Sequence, residues 1–498
     1  MVSTPSGAIY MMICDDVIRM SGLHPLRTTK WLAGIVLVAV LLRAGAALYM
    51  GDRVYDLPGI FDQISYDGLA QRVAAGHGFS FGTDWWPATR AGEPTAHWSY
   101  LMTLYLAAIY KLVGYHPLIA RLIQAVAAGI LMPLLTYRLA AKVSSRPVAL
   151  VAAAISAVYI YFFYYAAALM TETFYFVAIL ATLNLAITVA RQPSRGRWVA
   201  LGLAAGCAVL FRQTFLLFVP FLLLWIWWAA RGRGKRAGSN SHCEGDSPKQ
   251  SHPLARDCFG AAAPRNDNVV WTRLLIPVAV IGLMILPWTV RNYRAFGQLV
   301  LLNTNAGYVF FWANHPIHGT SFRLPQGAEA PDYHALIPPE LLSLDEASLE
   351  KALMARGLGF VTADPGRYVL LSLSRIKDHF IFWPKPDSGT LSNISRVGSF
   401  GAFLPFMIYG LILALSGAWR ERRRLPSDER GAALVLLYLF ILVYSGIHIL
   451  TWTGIRYRLP VDTVLVIFAA IGLTDLVMRL APRGAQASFR RLLAGGTQ

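Results

Sequence analysis

Charge is scarce in this chain of 498 residues: 14% are Asp, Glu, Lys or Arg, while 56% are hydrophobic. A soluble protein of this length needs more polar surface, so a water-borne globular fold is excluded. Acids are the scarcer sign, 27 against 45 basic residues, for a net charge of +18. That excess does not mark a nucleic-acid protein, because the basic residues gather in short loops between apolar runs, the footprint of insertion orientation. Cysteine is also sparse, with four in all. Cys14 stands in the N-terminal tail, Cys207 within an apolar run, and Cys243 and Cys258 in a polar loop, which excludes a disulfide framework. His242, Cys243, His252 and Cys258 lack the close paired spacing of structural zinc sites.

Long apolar runs are abundant. WLAGIVLVAVLLRAGAALYM (31–50) and VALVAAAISAVYIYFFYYAA (148–167) are each long enough to cross a hydrocarbon core about 30 Å thick. A cleavable signal peptide is not expected, since the first run starts only at Trp31 and exceeds an h-region. The fold class is therefore an all-α polytopic membrane protein. Ten spans are predicted, at 31–50, 118–137, 148–166, 174–190, 198–211, 213–229, 273–290, 397–418, 432–449 and 461–479. The fifth and sixth are short and share Arg212 at their junction.

The segment WSYLMTLYLAAIYKLVG (98–114) is apolar but only 17 residues long. With a cytoplasmic N-terminus and 98–114 not crossing, the basic loops at 138–147, 191–197, 231–272 and 419–430 and the C-terminal tail all fall inside. The segment 51–97, with six acids against three basic residues, falls outside. The positive-inside rule thus makes 98–114 a re-entrant or interfacial helix on the outer face. Three parts are expected: an N-terminal transmembrane catalytic module (1–230) with its first outer loop at 51–117; a cytoplasmic linker or insertion (231–272); and a C-terminal transmembrane region (273–498) with an outer stretch at 291–396. Within that stretch, 345–366 reads as an amphipathic helix over the membrane. Residues 237–268 are rich in Gly, Pro and Ser without apolar period and read as having no fold of their own.

Few strongly polar residues fall near the outer boundary: Asp62, Asp67, His97, Glu172, Arg212, Arg291, Arg294, Arg456 and Arg458. Ionisable groups beside a bilayer are costly and tend to be functional. Carboxylates and guanidiniums on one face suit a base beside an anion-binding patch, and the guanidinium fork bonds two phosphate oxygens at once. Other readings stay open: Asp62 as the cap of an interfacial helix, His97 as an interface histidine, the arginines as headgroup anchors. Tyr66 lies one helical turn after Asp62 and shares its face. Asp67, five residues on, is turned about 140° away and reads as solvated.

Asp62-x-x-x-Tyr66-x-x-x-Ala70 and GEPTAHWSYLMTLYLAAIYKLVG (92–114) resemble the first outer loop of C-type (GT-C) glycosyltransferases. The resemblance is to the bacterial protein O-mannosyltransferase-like branch that includes the lipid A aminoarabinose transferase. It continues at MTETFY (170–175), LFRQTF (210–215) and ILPWTVRNYRAFGQLVLLNTNAGYVFF (285–311), and ends at RYRLP (456–460). It implies a GT-C fold with about ten spans plus periplasmic juxtamembrane helices, in a bacterial inner membrane, with both termini cytoplasmic and a periplasmic active site. It implies a polyprenyl-phosphate sugar as donor and a glycan, lipid or protein as acceptor. Asp62 takes the place of the catalytic carboxylate and Glu172 that of a second acid. Tyr66, His97, Arg212, Arg291, Arg456 and Arg458 are the candidate substrate contacts, with Arg291 and Arg456 for the lipid phosphate. Where the family often has an acid after the catalytic one, this chain has Gln63. Some relatives hold a divalent cation near that aspartate, but no ligand set is legible here.

Two rival readings are a transporter or flippase for a lipid-linked sugar and a non-catalytic membrane assembly protein. The first calls for mid-span charges or broken, repeated helices; Arg43 and the short pair around Arg212 are the features of that kind. The orientation is testable in intact cells on a background without the native cysteines. A cysteine at Ser144 is expected to resist a membrane-impermeant thiol reagent, while one at Thr83 reacts. Labelling at Ser144 would reverse every loop after residue 114.

Overall fold

The structure is a computed structural model that describes residues 25–57, 59–239, 267–322, 333–386, 388–420 and 428–481. Most of the expected linker, the three cysteines 14, 243 and 258, and the basic C-terminal tail lie outside the described residues. The described chain is helical apart from loops and two isolated β-bridges, Ser80 with Pro94 and Trp85 with Thr89. Helix α1 (Pro25–Met50) leads to α2 (Asp62–Ala74) and α3 (Tyr100–Val113). Then come α4 (Pro117–Val143), α5 (Arg146–Val158), α6 (Ile160–Ala167), α7 (Glu172–Arg191), α8 (Arg195–Phe211) and α9 (Val219–Ser239). After the linker follow α10 (Asp267–Phe296), α11 (Ala306–Asn314), α12 (Glu346–Ala363), α13 (Pro365–His379) and α14 (Thr390–Arg396). The chain closes with α15 (Ala402–Arg420), α16 (Glu429–Leu450) and α17 (Ile455–Leu480).

Among the described residues, eight helices are long and apolar enough to cross a membrane, and the bent pair α5–α6 makes a ninth. The tenth expected crossing is α8, which has only 17 residues. It nevertheless returns from the end of the bundle where α7 stops to the end where α7 began, since Arg212 after α8 reaches Glu172 at the start of α7. Its close packing on α10 depends on Gly202 and Gly206, spaced four apart on one helix face. A Cβ on Gly202 would stand 2.7 Å from Val280 Cβ and 2.9 Å from Pro277 Cα, and one on Gly206 would strike Met284 Sδ. Small residues at this spacing let membrane helices approach closely.

Helix α3, 14 residues long, spans only about 21 Å and does not cross. It packs on α2 through Tyr66, Leu69, Ala70, Met102, Leu106 and Tyr110. Asp52 bonds His116 and the Leu118 amide, so the end of α1 and the start of α4 share one end of the bundle. This is the non-crossing helix expected at 98–114. The basic residues gather at the opposite end, where Lys142 bonds Asn184 O and Thr188, and Arg191 pairs with Glu429 at 3.3 Å.

The amphipathic reading of 345–366 meets a correction. Leu349, Leu353 and Gly357 of α12 are buried, and its apolar face is spent on α11. It is α13 that turns apolar side chains outward: Val369, Leu370, Leu373 and Ile376 are exposed.

One apolar core runs from Leu32 to Ala470 and joins helices from both sides of the linker. Arg43, a charge in the first span, belongs to this core. The chain bends by 48° between α5 and α6, so the last carbonyls of α5 lose their helical donors. Arg43 supplies them: Nη2 donates to Ser156 O at 3.0 Å and Nη1 to Ala157 O at 3.2 Å. Arg43→Leu is expected to lower the melting temperature of the purified protein by several degrees, because an orphaned buried carbonyl costs about 1–3 kcal/mol. An unchanged melting curve would mean that the bend is held without it.

Candidate active site

Four charged residues from four helix ends meet at the end of the bundle opposite the basic loops. Asp62 opens α2, Glu172 opens α7, Arg212 follows α8, and Arg456 is the second residue of α17. Arg456 stands between the acids: Nη1 pairs with Asp62 Oδ2 at 2.6 Å and Nε with Glu172 Oε1. Arg212 pairs through Nη2 with the same Glu172 oxygen, and its Nε donates to Thr171 Oγ1 at 3.1 Å. Carboxylates are favoured at helix N-termini and an arginine at a helix C-terminus. Arg456 has the unfavourable position and is the one held by both acids. Glu172 is sealed, its side chain 1% exposed, while Asp62 keeps 24%. Tyr457 lies beside both guanidiniums, at 5.6 Å from Arg212 and 5.9 Å from Arg456.

Local structure holds each member. Asp62 does not cap α2; the N-cap is Phe61, without a side-chain bond. Gln63 is fully buried and structural. It accepts from Arg121 Nη2 at 3.3 Å and donates to Tyr55 O at 2.7 Å. Arg121 and Gln124 donate to the carbonyls of Ala166, Ala167 and Ala168 in the irregular stretch before Glu172. Tyr66 is buried with its hydroxyl 3.5 Å from the Ser99 amide and its ring edge-on to Trp98. Burial first, and the Asp62 carboxylate second, push that hydroxyl above its ordinary pKa, so it stays protonated.

His97 is buried among Trp86, Trp98 and Tyr308. Burial holds its imidazole below the usual pKa against the pull of Glu346 and Asp62, and Nδ1 has no hydrogen-bond partner. The loop carrying His97 is fixed through its own backbone. Arg291 donates to Thr95 O, Asn303 to Ala96 O and Trp98 O, and Asn305 to His97 O. Glu346 accepts from Thr89, Thr304 and the Ala96 amide. Arg291, a sequence candidate for the lipid phosphate, is occupied as a staple of this loop, with a second bond to Phe79 O at 3.2 Å.

The structure also moves Arg458 away from the other candidates. It is fully buried, with Nε 3.1 Å from Asp462 Oδ1 and Nη1 bonding the carbonyls of His379 and Ile381. Two residues along a helix amount to about 200°, so Arg456 and Arg458 face opposite ways. Asp67 does face away from Asp62, yet it is buried rather than solvated. Tyr110 donates to it at 2.5 Å, Tyr115 at 3.0 Å and Gln71 at 2.8 Å. Burial raises its pKa, opposed by the two phenols and the amide. Sequence reasoning missed Thr171, Tyr457 and the Arg121–Gln63 pair; the dense polar run Thr171-Glu172 after an apolar span was the available signal for the first.

No group of three or more His, Cys, Asp or Glu side chains converges among the described residues. The two acids of the cluster, Asp62 and Glu172, are both paired with Arg456.

Residues 99–240 match the family profile of dolichyl-phosphate-mannose-protein mannosyltransferases, a stretch that contains Glu172 and Arg212 but neither Asp62 nor Arg456. Comparison with curated protein sequences gives no match. Among solved structures, the archaeal oligosaccharyltransferase AglB from Archaeoglobus fulgidus, in complex with an inhibitory peptide and a dolichol-phosphate, is similar at 15% identity and a TM-score of 0.50. The match covers 94% of this chain and 54% of that one. The complex of the Archaeoglobus fulgidus oligosaccharyltransferase with zinc and sulfate gives 14% identity, a TM-score of 0.51, and coverage of 92% and 51%. ArnT from Cupriavidus metallidurans bound to undecaprenyl phosphate gives 14% identity and a TM-score of 0.37 over 92% of this chain and 81% of that one. The chain thus spans about half the length of the oligosaccharyltransferases it matches. It is a multi-pass membrane protein with the GT-C fold.

The two neighbouring arginines give a stability test. Arg458→Ala is expected to lower the melting temperature sharply, since breaking a buried pair costs about 3–5 kcal/mol. Arg456→Ala should cost less, because Glu172 keeps Arg212 and Asp62 gains water. Melting curves that rank them the other way would make Arg456 the structural arginine.

Proposed function

We propose that this chain is a glycosyltransferase that moves a sugar from a polyprenyl-phosphate donor to an acceptor hydroxyl or phosphate, at the periplasmic face of a bacterial inner membrane. The observation that carries this reading is the cluster of Asp62, Arg456, Glu172 and Arg212, partly open and set at the end of the bundle opposite the basic loops. It combines a carboxylate that can take a proton with two guanidiniums that can hold a phosphate. The GT-C fold supports the reading, as does the dolichol-phosphate in the AglB complex. The gathering of basic loops at the far end supports the periplasmic placement through the positive-inside rule.

For a hydroxyl acceptor the chemistry divides among the residues as follows. The acceptor oxygen attacks the anomeric carbon from the face opposite the phosphate, and its proton passes to Asp62. The bond from the anomeric carbon to the phosphate oxygen breaks, and the electron pair leaves with the polyprenyl phosphate. Arg456 and Arg212 stabilise the charge that grows on that leaving group. Attack from the opposite face inverts the anomeric centre. Glu172 touches neither reactant; it holds the two guanidiniums in register. Tyr66, protonated beside Asp62, is a hydrogen-bond donor to the sugar or acceptor.

The transport reading has less support. Arg43 is consumed at the α5–α6 bend, and the embedded Asp462 is paired with Arg458 and Tyr159. Asp62→Asn keeps the side chain's shape but cannot accept a proton, and loss of a general base costs about 10²–10⁴ in rate. Sugar transfer or release by purified protein from a panel of undecaprenyl-phosphate hexoses and pentoses is expected to fall by that factor in Asp62→Asn. Asp67→Asn should keep turnover within a few-fold. Full turnover by a well-folded Asp62→Asn protein would remove Asp62 from the chemistry, and inactivity of wild type on every donor would remove the reading.

A further inference from the structure

We propose that Asp62 and Arg456 form a latch opened by the donor: the lipid phosphate takes the place of Asp62 on the Arg456 guanidinium, and the carboxylate so released becomes the base. The inference rests on the glycosyltransferase reading and adds an order of events to it.

The two acids of the cluster are bound unequally. Glu172 is held by both arginines and is sealed from solvent. Asp62 is held by the single contact from Arg456 Nη1 at 2.6 Å and is the more exposed of the two. Among the described residues no other donor bonds its carboxylate. A ligand that competes for Arg456 therefore displaces Asp62 and leaves Glu172 in place.

The geometry of the guanidinium says where the competitor binds. A guanidinium offers two edges for a paired interaction with an anion. On Arg456, Nε is taken by Glu172, which occupies the inner edge. The outer edge, Nη1 with Nη2, remains, and Asp62 sits on Nη1. A phosphate that binds this edge with two oxygens needs the position Asp62 fills.

Release has a chemical consequence. While Oδ2 is paired, Arg456 fixes the orientation of the carboxylate, and release leaves both oxygens free to turn to an acceptor hydroxyl. Before the donor arrives the base is engaged, and the arginine that serves the leaving group carries a counter-charge. When the phosphate docks, it replaces that counter-charge, and Asp62 turns to the acceptor. Base and leaving-group site are thus armed by one event, and the donor precedes productive acceptor binding.

The test is binding, without turnover. Undecaprenyl phosphate is titrated into full-length wild type, Asp62→Asn, Asp62→Ala and Glu172→Gln in nanodiscs, each first checked by its melting curve. Undecaprenol, which lacks the phosphate, is titrated in parallel. Removing the competing carboxylate is expected to tighten undecaprenyl phosphate binding by about tenfold in both Asp62 variants, the order of one charge-assisted hydrogen bond. Glu172→Gln should weaken it, and undecaprenol should not discriminate among the proteins. Asp62 variants that bind the phosphate no better than wild type would overturn the latch while leaving the glycosyltransferase reading standing. Equal tightening toward undecaprenol would overturn it as well, since the gain would belong to the tail. A wild type that binds no undecaprenyl phosphate would overturn both.

Discussion

The guanidinium of Arg456 lies between two carboxylates, and this end of the molecule is organised to make that position tolerable. A positive charge at the start of a helix meets the positive end of the helix dipole, and burial removes the water that would screen it. Asp62 and Glu172 answer both costs, each from the first turn of its own helix, where a negative charge is favoured. The arrangement requires α2, α7 and α17 to begin within a few ångströms of one another, with α8 ending beside them. The short α8, drawn against α10 by Gly202 and Gly206, delivers Arg212 to that point.

A charged cluster at a membrane boundary needs rigid surroundings, because an arginine or carboxylate with room to move finds water instead of its partner. The loop from 79 to 99 has almost no regular structure, yet its backbone is cross-bonded, Thr95 to Phe79, Gly92 to Phe81 and Trp85 with Thr89. Thr95, Ala96, His97 and Trp98 each give their carbonyl to a side chain from 291–305. These donors lie on the far side of the linker, so the C-terminal half of the chain supplies the scaffold of this loop. Arg291 belongs to that scaffold, and its phosphate-like preference for two acceptors is met by two carbonyls.

Much of this was legible in the sequence, and the failures have a common cause. Apolar runs located the helices that are long enough to cross and set the short helix at 98–114 apart from them, because hydropathy follows from the bilayer itself. Asp62, Glu172, Arg212 and Arg456 stood out because charge beside a membrane is costly wherever it occurs. Pairing was not legible, since it joins residues as far apart in the chain as Asp62 and Arg456. Asp67 read as solvated because nothing local shows that Tyr110 and Tyr115 fold back over it. The helix at 345–366 read as lying over the membrane because sequence alone does not say that α11 covers its apolar face.

Arg456 and Arg458 show what the fold adds to composition. The sequence presents them as equivalents, two arginines separated by one tyrosine at the mouth of the last span. Helical geometry sends them in opposite directions. Arg458 meets an acid on its own helix, two backbone carbonyls and the ring of Phe400, and it is fully enclosed. Nothing small and anionic can compete for it without unpacking the core. Arg456 meets one sealed acid and one open acid, so half of its binding capacity is permanent and half is exchangeable. A binding site for phosphate needs that division: an anchored guanidinium that keeps its orientation, and an outer edge whose present occupant can yield. Burial, more than charge, decides which arginine holds the protein together and which is available to a ligand.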